Sequence, residues 1–328
     1  MTRDVQDPPV AAQTPPIVDA VVIGRNEGAR LLACLRSLQG QLRRVIYVDS
    51  GSTDGSVAAA EALGVKVVSL DMSERFTAAR ARNAGLAHLD GDCTYVQLVD
   101  GDCEVVPGWI ASATARLEAD PRLAVVCGRR RERHPDSSIY NQLCDHEWDT
   151  PVGPAKACGG DALMRLRALQ EVGGYRNDLI AGEEPELCLR LARAGWSIWR
   201  LDVEMTLHDA QMLRFSQWWQ RSRRAGFAFA EGAALHGAGP ERHWVAETRR
   251  ALIWGAGIPA CILMLLPFSG WALLLLLVYP VQFLRLATRM GRRRAFYSIL
   301  GKFAEAQGAM EYHWLRLRGR KRGLMEYK

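Results

Sequence analysis

The sequence predicts an α/β fold: a doubly wound sheet of mixed or parallel strands with helices on both faces. Short β-branched runs alternate with amphipathic stretches from Ile17 onward, and acidic loops follow two of these runs. Parallel strands need helical crossovers, which cover both faces of the sheet. The 328 residues are 48% hydrophobic and 24% charged, enough for about two units with a filled core. This composition excludes a wholly disordered, collagenous or disulfide-scaffold chain.

Four strands and three helices are predicted in the first part of this fold. The strands are the runs IVDAVVI, RVIYV, VKVVSL and TYVQLV, and the helices lie at about 27–39, 55–63 and 77–88. In such a sheet the carboxyl ends of the strands open into a crevice, where ligands bind. Reactive side chains are therefore expected in the loops that follow the strands.

Both ends of the chain differ from this unit. Residues 1–16 contain four prolines and no apolar segment, which predicts a disordered arm and no signal peptide. Residues 251–284 contain no Asp, Glu, Lys or Arg and are interrupted near Pro267. They predict two short membrane spans of about 17 residues or a re-entrant hairpin, with a buried helical hairpin as the alternative. The predicted units are an arm (1–16), a catalytic domain (17–235), a linker with the hairpin (236–295) and a tail (296–328).

The formal net charge of +6 is unevenly distributed. Residues 285–328 contain 12 Lys and Arg against 3 Asp and Glu, so the rest of the chain is slightly acidic. Basic residues flank both ends of the apolar segment, which places those ends in the cytoplasm and the protein at the inner membrane. Aromatic and apolar residues among the basic ones from Phe296 onward predict an interfacial helix on anionic lipid. No motif favours nucleic acid as a partner.

Eight cysteines are too few for a disulfide framework, and no zinc spacing is present. Cys144, His146 and Cys158 are the nearest approach to such a spacing. Reduced, mostly buried thiols are therefore expected.

Two acidic loops carry the chemical signal. RVIYV runs into Asp49, whose carboxylate can accept hydrogen bonds from a base or a ribose, and Asp54 can cap the next helix. The alternative interpretation is that both acids are ordinary turn and capping residues that contact no ligand. TYVQLV ends in Asp100-Gly101-Asp102, a pair of carboxylates that repel each other unless a cation compensates. Mg²⁺ or Mn²⁺ suits such oxygens, together with water and diphosphate oxygens.

Five segments, in order and spacing, resemble family 2 glycosyltransferases with the GT-A fold. They are VVIGRNEGARLLACLRSL, VDSGSTDG, ARARNAGL, VDGDCEVVPGW and GEEPELCLRLARAGW, within residues 18–230. The resemblance implies a nucleotide-sugar donor of the UDP or GDP type and a divalent metal. Its implied nucleotide contacts are Arg25, Glu27, Asp49, Arg82, Asn83 and Asp100, with Asp102 on the metal.

The resemblance also implies a catalytic base in the acidic run at Gly182. The base falls at Glu184, where the family usually has Asp, so Glu183 remains a possible substitute. The chemistry requires a carboxylate that takes the proton of an acceptor hydroxyl as that oxygen attacks the anomeric carbon. One base without a covalent partner implies inversion. Without the resemblance, the run is a favourable first turn of a helix, and this reading stays open for Glu186.

Further candidates follow in the second half of the chain. The chain order makes His208 a candidate metal ligand, and Gly160 and Asp161 lie in a segment that resembles the acceptor side. Arg221 and Arg224 are three residues apart on a predicted helix, where both can face a diphosphate. Alternatively, Trp218 and Trp219 anchor this helix at a membrane interface. The cluster Arg129–Arg131 is expected to be solvated, with contact to a lipid diphosphate as the alternative.

Together these features predict a membrane-anchored, inverting glycosyltransferase of cell-surface or exopolysaccharide synthesis, with a lipid-linked or saccharide acceptor. One alternative is a sugar-1-phosphate nucleotidyltransferase. Such an enzyme needs a Gly-rich loop with Lys or Arg after the first strand, and Gly24–Gly28 matches that loop poorly. The other is a catalytically silent membrane scaffold of a polysaccharide assembly.

Overall fold

A computed structural model describes residues 15–320, and within them one mixed sheet of nine strands forms the centre of the molecule. The strands are β1 (Val18–Gly24), β2 (Arg44–Asp49), β3 (Lys66–Ser69), β4 (Tyr95–Asp100), β5 (Cys103–Val105), β6 (Leu123–Glu132), β7 (Gly153–Ala155), β8 (Ala162–Arg165) and β9 (Ser197–His208). Their order is β3-β2-β1-β4-β8-β6-β9-β5, and β7 pairs with β9. The predicted α/β class is confirmed.

Helices surround this sheet and continue beyond it. They are α1 (Ala29–Leu38), α2 (Ser56–Ala62), α3 (Ala78–Leu86), α4 (Trp109–Ala119), α5 (Ile139–Glu147), α6 (Leu166–Glu171), α7 (Glu183–Arg193), α8 (Phe215–His236), α9 (Val245–Leu252), α10 (Ile258–Leu265), α11 (Val278–Met290) and α12 (Arg292–Leu317). The four predicted strands and three predicted helices are β1 to β4 and α1 to α3. None of the strands β5 to β9 was predicted, and for β5, β7 and β8 the reason is that three- and four-residue antiparallel strands carry too short an apolar pattern.

The strand register brings the acidic loops to one edge of the sheet. β1 pairs in parallel with both β2 and β4, so that Gly24 lies beside Asp49 and Ile23 beside Asp100. β1 is buried from Val18 to Ile23 and apolar there apart from Asp19, which pairs with Arg43, so a slip in register would break both this ion pair and the packing of the strand. The loops after β1, β2 and β4 therefore open on the same side.

The chain after the sheet forms a helical layer in which α12 packs tightly along α8. Small residues of α12, among them Gly301, Ala304 and Gly308, are buried or face this contact. A Cβ added at Gly308 would overlap the carbonyl oxygen of Arg223 on α8. The predicted interfacial tail is therefore a long helix packed on the protein along one face. Its lipid contact stays a prediction, and residues 321–328 lie outside the described part.

We expect Gly308→Ala to lower the free energy of unfolding by about 1–3 kcal/mol, because the added methyl group forces α12 away from α8. The matched control is Gly301→Ala on the same helix, where the nearest atom to an added Cβ is 3.6 Å away. Thermal unfolding of the detergent-solubilised chain measures both variants. Equal melting temperatures for the two would contradict the close contact.

The apolar segment forms a helical hairpin with an exposed surface. Two stretches, Val245–Leu265 and Gly270–Met290, are long and apolar enough to cross a membrane by length and composition. The first contains a π-helical segment, Ile253–Gly257, and the second begins with a 3₁₀ helix, Gly270–Leu277. At the tip, Phe268 is 88% exposed. The alternative of a hairpin buried in a soluble core is therefore wrong.

The remaining sequence expectations concern the thiols and the boundaries. All eight cysteines are free, and seven of them are buried, as expected. The predicted arm, 1–16, lies almost wholly outside the described residues. The predicted catalytic unit ends at residue 235, one residue before the end of α8, and the domain boundaries stay predictions.

Candidate active site

One cavity of about 760 Å³ opens where the loops after β1 and β4 meet α7 and α8. This volume lies within the range of small-molecule sites. Its charged and imidazole side chains are Arg25, Glu27, Arg30, Arg82, Asp100, Asp102, Arg130, Glu147, Glu183, Glu184, His208, Arg221 and Arg224. Most of the residues selected from the sequence thus line a single cavity.

Arg82, on α3, joins the acids of two distant segments. One of its terminal nitrogens lies 3.0 Å from Glu183 Oε1 and 2.9 Å from Glu184 Oε1, and the other lies 2.8 Å from Asp100 Oδ1. Its side chain is 3% exposed and lies over the ring of Tyr175. A buried guanidinium with three carboxylates fixes the relative position of the β4 loop and α7, because its planar fork holds each partner in a set direction.

The two glutamates at the start of α7 have different surroundings. Gly182 precedes the helix with φ 80°, a conformation that favours glycine, and turns the chain so that both acids face Arg82. The side chain of Glu183 is 5% exposed and that of Glu184 is 13% exposed. Burial, followed by the nearby charge of Glu183, raises the pKa of Glu184 to about 7. Glu184 is therefore the more accessible acid and is suited to proton exchange near neutral pH.

A second ion-pair network lies behind Asp100. The fully buried carboxylate of Asp161 accepts a hydrogen bond from Thr206, pairs with Arg130 at 2.7 Å, and accepts another from the backbone N–H of Asp100 at 3.1 Å. Arg130 also lies 3.5 Å from Asp100 and over the ring of Trp148. Two arginines thus hold Asp100 from opposite sides.

Asp102 and His208 form the candidate metal site, because β5 and β9 pair next to each other at these residues. His208 Nε2 lies 3.3 Å from Asp102 Oδ2, and both residues are buried. Burial, followed by the charge of Arg130, lowers the pKa of His208 to about 4, so its imidazole is neutral at pH 7. Its Nδ1 is buried and has no hydrogen-bond partner in the described structure. A neutral imidazole beside a carboxylate is a donor set that fits a divalent metal.

Cys103 lies beside this pair but does not suit the same role. Its thiol is within ligand distance of both Asp102 and His208. Burial raises the pKa of Cys103 well above its usual range, which keeps it a thiol, and only the thiolate is a good metal ligand. A second grouping, Asp100 with Cys103 and Asp161, is already neutralised by Arg130.

Gly160 lies against the ion pair of Arg82 and Asp100. A Cβ added there would be 2.6 Å from Asp100 Oδ2 and 2.7 Å from Arg82 Nη2. Gly160 lines the cavity, where the sequence places it. Because it has no side chain, it leaves room for the ion pair of Arg82 and Asp100.

We expect Gly160→Ala to lower turnover of the nucleotide-sugar donor that the sequence motifs imply by about 10–100-fold, because it displaces the carboxylate of Asp100 by a fraction of an ångström or more. Gly159→Ala is the control, since no atom lies within 4 Å of an added Cβ there. Steady-state rates of nucleotide-sugar hydrolysis for the two variants, at equal folded fraction, provide the measurement. Similar losses in both would contradict the packing argument.

Three predicted site residues lie outside the cavity lining. Asp49 is buried and accepts hydrogen bonds from Tyr47 Oη and the backbone N–H groups of Gly51 and Ser52, so it shapes its own loop. The amide of Asn83 binds the backbone N–H and carbonyl of Tyr175. Asp161 is the buried partner of Arg130, and its acceptor-side role stays a prediction. The nucleotide contacts of Asp49 and Asn83 stay predictions.

The position of α8 distinguishes between the two interpretations given above for residues 218–224. Trp218 is buried in an aromatic cluster with Tyr140 and Tyr297, so its predicted alternative role as a membrane anchor is wrong. Arg221 and Arg224 both line the cavity, and their contact with a diphosphate stays a prediction. Arg221 forms a two-point ion pair with Glu147, at 2.6 and 2.9 Å.

Sequence reasoning missed several residues of the cavity. Arg130 was expected to be solvated with its neighbours, but β6 continues through this cluster as a strand with register shifts and turns Arg130 inward. The strand was not predicted because charged residues follow the apolar run LAVVCG and interrupt its pattern. Trp148 and Glu147 carry no local signal at all, because α5 is brought to the cavity only by the fold.

Comparisons with known proteins agree with this architecture. Residues 19–164 match the family profile described as glycosyl transferase family 2. The chain is 28% identical over 286 residues to a pre-mycofactocin glycosyltransferase of Mycobacterium tuberculosis (strain CDC 1551 / Oshkosh), covering 80% of this chain and 57% of that protein. It is 26% identical over 211 residues to the succinoglycan biosynthesis protein ExoA of Rhizobium meliloti (strain 1021), covering 60% and 64%.

The solved structures extend the likeness of fold to most of the chain. The mannosyltransferase PcManGT of Pyrobaculum calidifontis, in complex with GDP-Man and Mn²⁺, aligns with a TM-score of 0.65 at 21% identity, covering 92% of this chain and 88% of that one. The chain spans about three fifths of the length of the two curated relatives above. The mixed sheet, the ordered motifs and the matched residues agree: residues 19–164 are similar in sequence to glycosyl transferase family 2, and the fold is the one seen in PcManGT.

Proposed function

We propose that this protein is a membrane-anchored, metal-dependent, inverting glycosyltransferase, which moves a sugar from a nucleotide diphosphate to a lipid-linked acceptor. The observation that carries the proposal is the single cavity in which Glu184 lies beside Arg82 and Asp100, next to the pair of Asp102 and His208. The curated relatives are a glycosyltransferase and a protein of succinoglycan biosynthesis.

In the proposed reaction, Glu184 takes the proton of the acceptor hydroxyl. The hydroxyl oxygen then forms a bond to the anomeric carbon while the bond from that carbon to the diphosphate breaks, and the nucleoside diphosphate leaves with the electron pair. A single displacement of this kind inverts the configuration. Arg221 and Arg224 lie in the same cavity, where guanidinium groups can stabilise the departing phosphate oxygens.

Asp102 and His208 would hold Mg²⁺ or Mn²⁺, as the donor set indicates. A bound divalent metal supplies neutralisation of the diphosphate charge that grows as the leaving group departs. The solved structure of PcManGT supports this role by likeness of fold, since it holds Mn²⁺ together with GDP-Man. The donor is proposed to be a UDP- or GDP-sugar, as the sequence motifs imply.

The hairpin supports a position at the membrane. Its exposed apolar surface requires a non-aqueous neighbour, and about 21 residues in a helix span roughly 30 Å of hydrocarbon. Arg249 and Arg250 lie near the start of the first stretch, and Arg292 to Arg294 follow the second. By the positive-inside rule we place both ends, and the active site, on the cytoplasmic side of the inner membrane, near anionic lipid and a lipid-linked or saccharide acceptor of cell-surface polysaccharide synthesis.

A donor screen tests this proposal. The purified chain is incubated with UDP-, GDP- and dTDP-sugars, with and without Mn²⁺, and release of nucleoside diphosphate is measured. We expect Mn²⁺-dependent hydrolysis of one donor class. No hydrolysis of any donor, together with release of pyrophosphate from a nucleoside triphosphate and a sugar phosphate, would overturn the proposal in favour of nucleotidyl transfer.

The transfer rate should have an acid limb near pH 7. Only the deprotonated Glu184 can accept a proton, and burial beside Glu183 raises its pKa to about 7. The active fraction, and with it kcat, is expected to fall about tenfold for each pH unit below that value. Donor affinity measured at the same pH values provides the control. A kcat that stays constant down to pH 5 would exclude Glu184 as the base.

A further inference from the structure

A second cavity, of about 430 Å³, lies between α5 and the turn that joins α11 to α12. Its lining from α5 is Ile139, Gln142, Leu143 and His146, and its lining from the turn is Met290, Gly291, Arg292, Arg293 and Arg294. The α5 residues follow a spacing of three and four, so they share one face of the helix. The active-site cavity is lined by Glu147 and Trp148, at the end of the same helix, and shares no lining residue with this one.

The three arginines of this cavity carry unneutralised charge. Arg292, Arg293 and Arg294 are all exposed, and within residues 15–320 none of them forms an ion pair. In the active-site cavity, by contrast, Arg82 and Arg221 are paired with acids. Three adjacent guanidinium groups present several N–H donors in planar forks, the geometry that binds phosphate oxygens.

The cavity combines this charge with an apolar wall. Ile139, Leu143 and Met290 line it beside the arginines. Inorganic phosphate has no apolar part that could contact these side chains. A phospholipid, in contrast, presents a phosphate and the first methylenes of its acyl chains side by side. The chemistry of the lining therefore favours an amphiphile with an anionic head.

The position along the chain agrees with a lipid. Arg292 comes directly after the end of the second apolar stretch, Gly270–Met290. The two stretches are joined by a short turn and so run antiparallel, which brings the end of the second back to the level where the first begins. If the hairpin is in the bilayer, as proposed above, the cavity lies at the depth of the headgroups.

We propose that this cavity binds the phosphate headgroup of an anionic phospholipid, with Arg292 to Arg294 on the phosphate and the acyl chains starting along Leu143 and Met290. This inference rests on the membrane placement proposed above. The lipid-linked acceptor is not the occupant, because its reacting hydroxyl has to reach Glu184 in the other cavity. The bound lipid would orient the catalytic domain over the membrane through α5 and α12.

The test uses the full chain in detergent micelles, with lipids titrated in and bound lipid counted by native mass spectrometry. Wild type is expected to retain phosphatidylglycerol in preference to phosphatidylcholine. The variant R292Q/R293Q/R294Q should lose phosphatidylglycerol affinity by about tenfold or more, given the attraction of each basic residue for anionic lipid. The control R316Q/R318Q/R320Q removes the same charge from exposed positions at the other end of α12, where only the diffuse attraction predicted for the tail is lost, and should reduce the affinity much less.

Three outcomes would overturn the inference. Equal losses in the two triple variants would show a diffuse attraction of charge. Displacement of the lipid by millimolar inorganic phosphate would show a site for free phosphate, and displacement by a polyprenyl diphosphate would assign the cavity to the acceptor. Donor hydrolysis in detergent separates this inference from the proposed function: the first triple variant should hydrolyse donor at the wild-type rate. If lipid is retained but wild type hydrolyses no donor, only the proposed function fails.

Discussion

Glu184→Gln is expected to lower the rate of sugar transfer by about 10²–10⁴-fold, the usual contribution of a positioned general base. The amide keeps the size of the side chain and can still face Arg82, which lies 2.9 Å from the Glu184 carboxylate. Donor affinity should therefore change little. Transfer of labelled sugar from the donor to membrane lipids, alongside donor binding by calorimetry, separates the loss of the base from a loss of binding.

Glu183→Gln is the informative comparison, because both acids share the same guanidinium nitrogen of Arg82. Glu183 is the more buried of the two, so removing its charge should reduce stability more than catalysis, as for other broken buried pairs. A lower melting temperature with transfer within about tenfold of wild type is expected. If Glu183→Gln abolishes transfer and Glu184→Gln does not, the two roles are exchanged.

Asp102→Asn is expected to abolish Mn²⁺ binding and to lower Mn²⁺-dependent donor hydrolysis by about 10²–10⁴-fold, since a metal contributes several kcal/mol of charge stabilisation. The carboxylate lies 3.3 Å from the neutral imidazole of His208, and an amide oxygen is a much weaker ligand. Titration of free Mn²⁺ by electron paramagnetic resonance measures binding without any substrate, so the result does not depend on the identity of the donor.

Asp209→Asn provides the matched control for this variant. Asp209 is adjacent to His208 in the chain, and its carboxylate accepts a hydrogen bond from Gln211 and lies outside the metal grouping. It should bind Mn²⁺ as wild type does. Retention of Mn²⁺ affinity by Asp102→Asn would show that the metal, if bound, is held elsewhere.

Much of the fold could be predicted because its signals are local. The strands β1, β2 and β4 are apolar runs whose ends carry acids, and a parallel arrangement alone brings those ends to one edge. The apolar hairpin is likewise visible as a stretch of residues without charge. The short antiparallel strands β5, β7 and β8 were missed because they are held by their neighbours in the sheet and have little pattern of their own.

In the C-terminal part of the chain, too, the helix could be predicted from the sequence but its packing partner could not. The basic, aromatic composition after Phe296 indicated an interfacial helix, and a helix forms there. Its partner was not predictable, because the contact of Gly308 with α8 depends on small residues that carry no periodic apolar signal. Close packing of two helices is decided by the shapes of both surfaces, and a sequence shows only one at a time.

By itself the sequence determined which side chains stand at the ends of strands and helices: Asp100, Asp102 and the two glutamates at the start of α7. Only the tertiary structure decided their partners. Arg82 meets Glu183 across 101 positions of the chain, and Asp161 meets Arg130 across 31. Burial and ion pairing act through space and depend on the low polarity of the assembled interior, so the raised pKa of Glu184 and the lowered pKa of His208 exist only in the folded protein.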